Sequence, residues 1–406
     1  MSSYKVIVLK PKKDDFIKRF HPWVFSGAIE IMPKDITEGE IVKVLSSKNE
    51  FLGVGHYQIG SIAVRILSFQ NEDIDESFYE KRLTAAYNMR KSLKLISSVN
   101  DTYRLVHGEG DDLSGLIIDI YGKTAVIQSH TVGMHTDKSL IVNALKKVYN
   151  ENPLENIYYK SEGTLPYKAD LQFSDYYIYG GQNQDGEQNV VNTQNVALEN
   201  GLKFRIDWLK GQKTGFFIDQ RENRTLLEKY SEGRHVLNMF SYSGGFSVYA
   251  LRGGAKEVVS VDSSSKALSI AEDNVLLNFQ GENRHTVSSE DGFKYLSDIP
   301  QDKYDLIVLD PPAFAKHRGA INNALQGYKR LNHLALTKIA PGGILFTFSC
   351  SQAITKEQFR LTVFSAATLS GRKVQILHQL TQPADHPINI YHPEGEYLKG
   401  LVLYVE

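Results

Sequence analysis

Several short stretches in the C-terminal half of the chain carry side chains able to do chemistry. The only cysteine, Cys350, sits in Phe346-Thr347-Phe348-Ser349-Cys350-Ser351. Upstream lies Asp310-Pro311-Pro312-Ala313-Phe314. Two prolines after an aspartate stiffen the chain and remove two N–H donors, so an acid and an aromatic ring are held on a rigid loop. Such a loop suits a planar base, with the carboxylate reading an edge and an aromatic stacking on a face; a plain stiff turn is the alternative. A cysteine is often a buried core residue. A thiolate is also the nucleophile that one reaction of this constellation needs. Carbon 5 of cytosine attacks a methyl donor only after a thiolate has added at carbon 6, and an acid must steady the charge that develops on the ring. Cys350 and Asp310 have the types for those two tasks.

Three further motifs point to a nucleoside. Asn238-Met239-Phe240-Ser241-Tyr242-Ser243-Gly244-Gly245-Phe246 is a glycine turn between strand and helix, where the backbone can approach a ligand closely. It is neither the dinucleotide fingerprint nor a phosphate loop. Asp262 follows Gly244 by 18 residues, the place from which such folds accept ribose hydroxyls. It also stands where an acid offsets a helix dipole. Asp291-Gly292 offers a carboxylate for an exocyclic amine, or simply a helix cap.

These residues need elements to position them. From about Gly201 strand-like runs alternate with helix-length segments: strands at 235–240, 257–262, 285–288, 304–310 and 344–348, and helices at 245–251, 264–279, 292–296 and 321–339, with Ser264 as an N-cap. The alternation predicts an α/β domain with a largely parallel sheet, whose ligands bind beyond the carboxyl ends of the strands. The motifs above all fall there.

The N-terminal half is different. Runs at 4–9, 40–45, 51–57 and 61–67, punctuated by glycines, predict a small β-rich domain to about residue 72. Residues 1–34 hold seven Lys/Arg (5, 10, 12, 13, 18, 19, 34) against three acids, a local excess able to touch phosphate or simply a solvated face. Residues 73–195 read as an α+β domain. It has a helix at 76–95 packing through Phe78, Leu83, Tyr87 and Leu93, a strand pair at 116–121 and 124–128, and a helix at 139–149. The polar stretch 175–200 is its boundary with a last domain, 196–406.

Composition sets outer limits. With 46 basic and 47 acidic side chains in 406 residues, net charge gives no global nucleic-acid signal, so any basic surface is local. One cysteine excludes an intramolecular disulfide and a Cys-rich zinc site. No run approaches the ~20 apolar residues of a membrane span, and Val6–Leu9 is too short for a signal-peptide core. The expectation is a soluble cytoplasmic protein.

Taken in order, these motifs resemble the ribosomal RNA large subunit methyltransferase I family, class I S-adenosylmethionine-dependent enzymes that methylate carbon 5 of a cytosine in 23S rRNA. The resemblance rests on the Phe348–Ser351 segment and on five further stretches: His21–Gly27, Arg104–Glu109, Gly211–Arg221, Ala384–Pro387 and Pro393–Gly400. It implies an RNA-binding PUA domain, a middle domain and a Rossmann-like catalytic domain. It implies Cys350 as nucleophile, with Asp310 beside it. Phe240, Ser241, Tyr242, Gly244, Asp262, Asp291 and Gly292 would surround S-adenosylmethionine, and Gln220 and Arg221 would lie near cofactor or target base. RNA is the implied partner, and a homodimer a further implication. His386 is either a proton acceptor or part of a structural turn before the last strand. Two alternatives stay open: methylation of a base amine, which needs no thiol, and a non-catalytic RNA-binding assembly factor.

Overall fold

The computed structural model describes residues 4–166, 171, 173–181, 195–315 and 318–406. The chain forms two compact units. The first takes residues to Leu198, with Ile206–Phe216 and Ala384–Gly395; the second takes Glu199–Arg205, Phe217–Pro383 and Glu396–Glu406.

In the first unit, β1 (Lys5–Leu9), α1 (Asp15–Lys18), β2 (Trp23–Phe25), β3 (Ile29–Ile31), β4 (Ile41–Leu45), β5 (Phe51–Tyr57) and β6 (Ile62–Ser68) build a six-stranded sheet in the order β2-β6-β5-β4-β1-β3. Strand β4 alternates between buried and half-buried residues, so Val42 and Val44 face a core with Ile7, Leu9, Val24, Val64 and Ile66. Part of the expected basic patch is neutralised at home. Lys5 pairs with Asp35 and Glu40, and Lys18 with Asp14 and Glu50, while Lys12, Lys13 and Arg19 stay exposed.

A second sheet follows. It contains β7 (Thr102–His107), β8 (Leu116–Tyr121), β9 (Thr124–Ser129), β10 (Asn156–Tyr159) and β11 (Tyr176–Tyr179) in the order β11-β10-β9-β8-β7. It shares a core with α2 (Glu76–Ser92) and α4 (Lys138–Val148), α3 (Val132–Thr136) preceding the latter. Helix α2 starts where the Asp75 carboxylate accepts from Phe78 N–H, 2.9 Å. It buries Phe78 and Leu83 as predicted but stops at Ser92, leaving Leu93 as an exposed C-cap rather than a packing position. Residues 182–194 of the polar stretch read as a boundary lie outside the described residues.

The second unit begins with part of a two-stranded ribbon, β12 (Val196–Glu199) and β13 (Leu202–Arg205), and α5 (Arg221–Lys229). Its seven-stranded sheet contains β14 (His235–Met239), β15 (Glu257–Asp262), β16 (His285–Ser289), β17 (Leu306–Leu309), β18 (Gly343–Ser349), β19 (Val374–Leu380) and β20 (Lys399–Val405). The order is β16-β15-β14-β17-β18-β20-β19. Five strands are parallel, and β20 is antiparallel to both β18 and β19. The order reverses at β14, which places the ligand-binding crevice beyond β14 and β17. The connecting helices are α6 (Gly245–Arg252), α7 (Ser265–Asn278), α8 (Gly292–Asp298), α9 (Ile321–Lys338) and α10 (Lys356–Ser370). Ser264 caps α7 as expected, its hydroxyl accepting from Ala267 N–H.

Candidate functional site

The glycine turn after β14 is tightly wound. Phe240 (φ 58°) and Tyr242 (φ 46°) both adopt the left-handed region, which costs energy in non-glycine residues and clusters at functional sites. Gly244 (φ 77°) is required twice over, because a Cβ there would stand 2.8 Å from Ala271 Cβ on α7. Asp262 ties the turn to the next strand. Its Oδ2 accepts from Tyr242 N–H and its Oδ1 from Ser264 N–H, each at 2.9 Å. Gly292 leaves room for the Phe240 ring, whose Cζ would lie 2.8 Å from an added Cβ. The neighbouring Asp291 carboxylate caps α8 by accepting from Lys294 N–H, 2.9 Å. Phe240, Tyr242, Asp262, Asp291 and Gly292 thus gather at the ends of β14–β16. Ser241 Oγ and Ser243 Oγ are buried there without a hydrogen-bond partner. Buried polar atoms of that kind, a close-approach glycine and a carboxylate at the second strand end fit a polar nucleoside with an amino-acid tail.

Asp310 directly follows β17. Gln220 Nε2 donates to its Oδ1 at 3.0 Å, and Asn223 Nδ2 donates to Gln220 Oε1 at 2.6 Å, which fixes which way the Gln220 amide faces. Burial pushes the Asp310 carboxyl up to about 7, and the charge of Asp219 adds to the rise; the Gln220 hydrogen bond and the Arg224 charge oppose it. Asp219 itself accepts from the Tyr397 hydroxyl through Oδ2, 2.7 Å, while its Oδ1 is buried without a partner. The loop carrying Asp219 and Gln220 is anchored by Arg224. That guanidinium donates to both oxygens of buried Glu199, at 2.9 and 2.7 Å, and to the Phe217 carbonyl at 2.9 Å.

Cys350 follows β18, half-buried, with Sγ 3.9 Å from the carbonyl oxygen of Pro311 in the Asp-Pro-Pro loop. Ser351 ties the same two loops together, since its Oγ accepts from Ala315 N–H at 3.3 Å and bonds Tyr328 Oη at 3.0 Å. Beneath them Lys399, buried at the start of β20, donates from Nζ to the carbonyls of Ser351 and Ile354, both at 2.8 Å. Burial lowers this ammonium to about 8, and the neighbouring Cys350 charge works against the fall.

The structure brings Cys350 to the Asp310 loop, and Asp310 to Gln220. Arg221 is buried and bonds Glu222 at 3.3 Å. The ring on the Asp-Pro-Pro loop is placed otherwise than anticipated. Phe314 is half-buried and packs against Tyr328 (4.6 Å) and Phe293 (6.3 Å) at the margin of the core, so its ring is already partly engaged within the protein. His386 belongs to the first unit. It is buried beside Asp385 (3.1 Å) and His107 (5.0 Å between rings), and the Asp385 carboxylate accepts from Arg104 N–H at 3.0 Å. Sequence reasoning passed over Asp219, Asn223 and Tyr397. Asp219 stands next to Gln220 in Phe217-Ile218-Asp219-Gln220-Arg221, and that adjacency was the available signal.

Comparisons with known proteins agree along the chain. A family model described as S-adenosylmethionine-dependent methyltransferase matches residues 185–389, and a PUA-like domain model matches residues 7–69. Ribosomal RNA large subunit methyltransferase I of Tolumonas auensis is 40% identical over 402 residues, covering 98% of each chain. The protein of that name from Aeromonas hydrophila is 39% identical, covering 99% of each. Among solved structures, a chain from Streptococcus mutans described as a SAM-dependent methyltransferase superposes with a TM-score of 0.82, at 22% identity and covering 99% and 100% of the two chains. At that identity the likeness speaks for the fold.

Proposed function

Because the chain belongs to the ribosomal RNA large subunit methyltransferase I family, we propose that it methylates carbon 5 of a cytosine in 23S rRNA through a covalent bond to Cys350. Its fold is α/β, with an N-terminal PUA-like domain and a C-terminal Rossmann-like methyltransferase domain. In this reading residues 1–72 bind RNA, 73–195 form a middle α+β domain, and 196–406 carry the chemistry. A cytoplasmic site of action and a homodimer belong to the same proposal. Among the described residues no helix is long and apolar enough to cross a membrane.

S-adenosylmethionine, held by Phe240, Ser241, Tyr242, Gly244, Asp262, Asp291 and Gly292 with Gln220 and Arg221 nearby, supplies an electrophilic methyl group. The chain's own residues do the rest. The Cys350 thiolate adds to carbon 6 of the cytosine, which makes carbon 5 nucleophilic. Negative charge then develops on the ring nitrogen. Gln220 donates to Asp310 Oδ1, so the proton that Asp310 holds near neutral pH resides on Oδ2, where it can be donated to that nitrogen. Lys399 holds the loop after Cys350 and places a positive charge beside the thiol.

The observation that carries the reading is the approach of Cys350 Sγ to the Asp-Pro-Pro loop, 3.9 Å from Pro311 O, with Asp310 on that loop accepting from Gln220. The test uses RNA carrying 5-fluorocytidine, whose fluorine blocks the final elimination. The wild-type protein should form a denaturant-resistant adduct with it, and Cys350→Ser should not. Methylation that survives Cys350→Ser would assign the activity to a base amine. Calorimetry showing no S-adenosylmethionine binding would favour a non-catalytic RNA-binding role.

A further inference from the structure

We infer that Asp219 is the base that removes the proton from carbon 5, and that Tyr397 positions it. The inference rests on the cytosine reading above and supplies the group that reading leaves unnamed.

Two carboxyl groups meet at this site and are equipped differently. Asp310 is burdened by burial and by the Asp219 charge, so it keeps a proton near neutral pH and serves as an acid. Asp219 has one oxygen engaged by a hydroxyl donor, Tyr397 at 2.7 Å, and one buried oxygen, Oδ1, with no partner. Two carboxyls in different surroundings can divide the acid and base roles between them. An oxygen that accepts nothing in the protein is the one able to accept a proton.

A short stretch of chain connects this carboxylate to the nucleophile. Tyr397 donates to Asp219, and two residues later Lys399 grips the carbonyl of Ser351, the residue after Cys350. Gln382 Oε1 accepts from the backbone N–H of both Tyr397 and Leu398, at 3.2 and 3.4 Å, and so steadies that stretch. The thiol bonds carbon 6, and the proton to be removed sits one bond away on carbon 5. Asp219 is thereby tied to the same short stretch of chain that holds the nucleophile's loop.

The step balances. After methyl transfer, carbon 5 bears a methyl group and a hydrogen. Asp219 Oδ1 takes the proton, the C5–H electron pair forms the C5=C6 double bond, and the C6–S bond breaks with its electrons leaving as the Cys350 thiolate. The proton that Asp310 lent to the ring nitrogen returns to Asp310 as the aromatic ring is restored, and the proton on Asp219 passes to solvent after release.

The experiment uses the full chain, S-adenosylmethionine labelled in the methyl group, and 23S rRNA from cells lacking the protein. Asp219→Asn should methylate once and stall. A labelled protein–RNA adduct should accumulate on ordinary RNA, mapped to Cys350 by peptide mass, while turnover falls ~100-fold or more. Tyr397→Phe should release product about 10-fold more slowly and show a smaller steady-state adduct. Turnover of Asp219→Asn within threefold of wild type would overturn the assignment. Loss of its adduct with 5-fluorocytidine RNA would do the same. So would a tenfold loss of cofactor affinity by calorimetry with no stalled adduct, which would make Asp219 a cofactor ligand. If Asp219→Asn does not fold, Tyr397→Phe decides: no stalled adduct on ordinary RNA overturns the inference. A wild-type protein that forms no adduct with 5-fluorocytidine RNA sinks the cytosine reading itself, which is a different result from a normal adduct that Asp219→Asn resolves freely.

Discussion

Lys399 Nζ donates a 2.8 Å hydrogen bond to the carbonyl of Ser351, so the final strand of the chain, β20, holds the loop on which the only cysteine stands. A buried ammonium beside a thiol lowers the thiol's pKa. Lys399→Met should therefore raise the Cys350 pKa by about one unit and slow its alkylation at pH 7 about 10-fold. Lys399→Arg should restore part of the rate. The Lys399 ammonium titrates near 8, so the wild-type advantage should shrink above that pH. Iodoacetamide reactivity measured across pH 6–10 checks both points, and superimposable profiles would dismiss the effect.

Asp310 makes stability depend on pH in a defined direction. Its folded pKa, about 7, lies above the ~3.9 of an unfolded aspartate. The folded state thus holds the proton more tightly. That contribution is fully present below about pH 4 and is lost as pH rises through 7. Asp310→Asn, which carries no charge, should match wild type near pH 3–4 and exceed it at pH 8 by on the order of 4 kcal/mol. Urea unfolding at the two pH values reads the difference. The same substitution should abolish the 5-fluorocytidine adduct.

The loop bearing Asp219 and Gln220 depends on Arg224. Removing one partner of its buried pair with Glu199 leaves the other charge uncompensated, so Arg224→Met should cost about 3–5 kcal/mol in guanidinium unfolding. The double substitution Arg224→Met with Glu199→Met should cost less than Arg224→Met alone, because no lone charge remains.

Gly244 is intolerant for two reasons that act together, its φ of 77° and the 2.8 Å approach of an added Cβ to Ala271. Gly244→Ala should shift the turn after β14 and lower S-adenosylmethionine affinity at least 10-fold, with about 1–3 kcal/mol of destabilisation. Titration calorimetry beside thermal melts separates the two effects.

The alternation of strand and helix in the C-terminal half was legible because each element repeats a local pattern. Val258, Val259 and Val261 make a valine-rich run broken only by the small Ser260 in β15, and Ser264 signals the start of α7. The positions of Gly244, Asp262, Asp291, Asp310 and Cys350 at strand ends followed from that pattern alone. The sequence by itself thus determined which residues reach the ligand-binding edge of the sheet. Tertiary structure decided what each one meets there. No local period reveals that β20 inserts between β18 and β19, because strand order is set by packing between distant segments. That insertion brings Lys399 under Cys350 and Tyr397 to Asp219, partners 49 and 178 residues apart in the chain. It was also packing that set Phe314 against Tyr328 at the margin of the core and placed Asp385 and His386 in the first unit. A carboxylate's role as acid or base depends on burial and on neighbouring charge, and both exist only once the chain has folded.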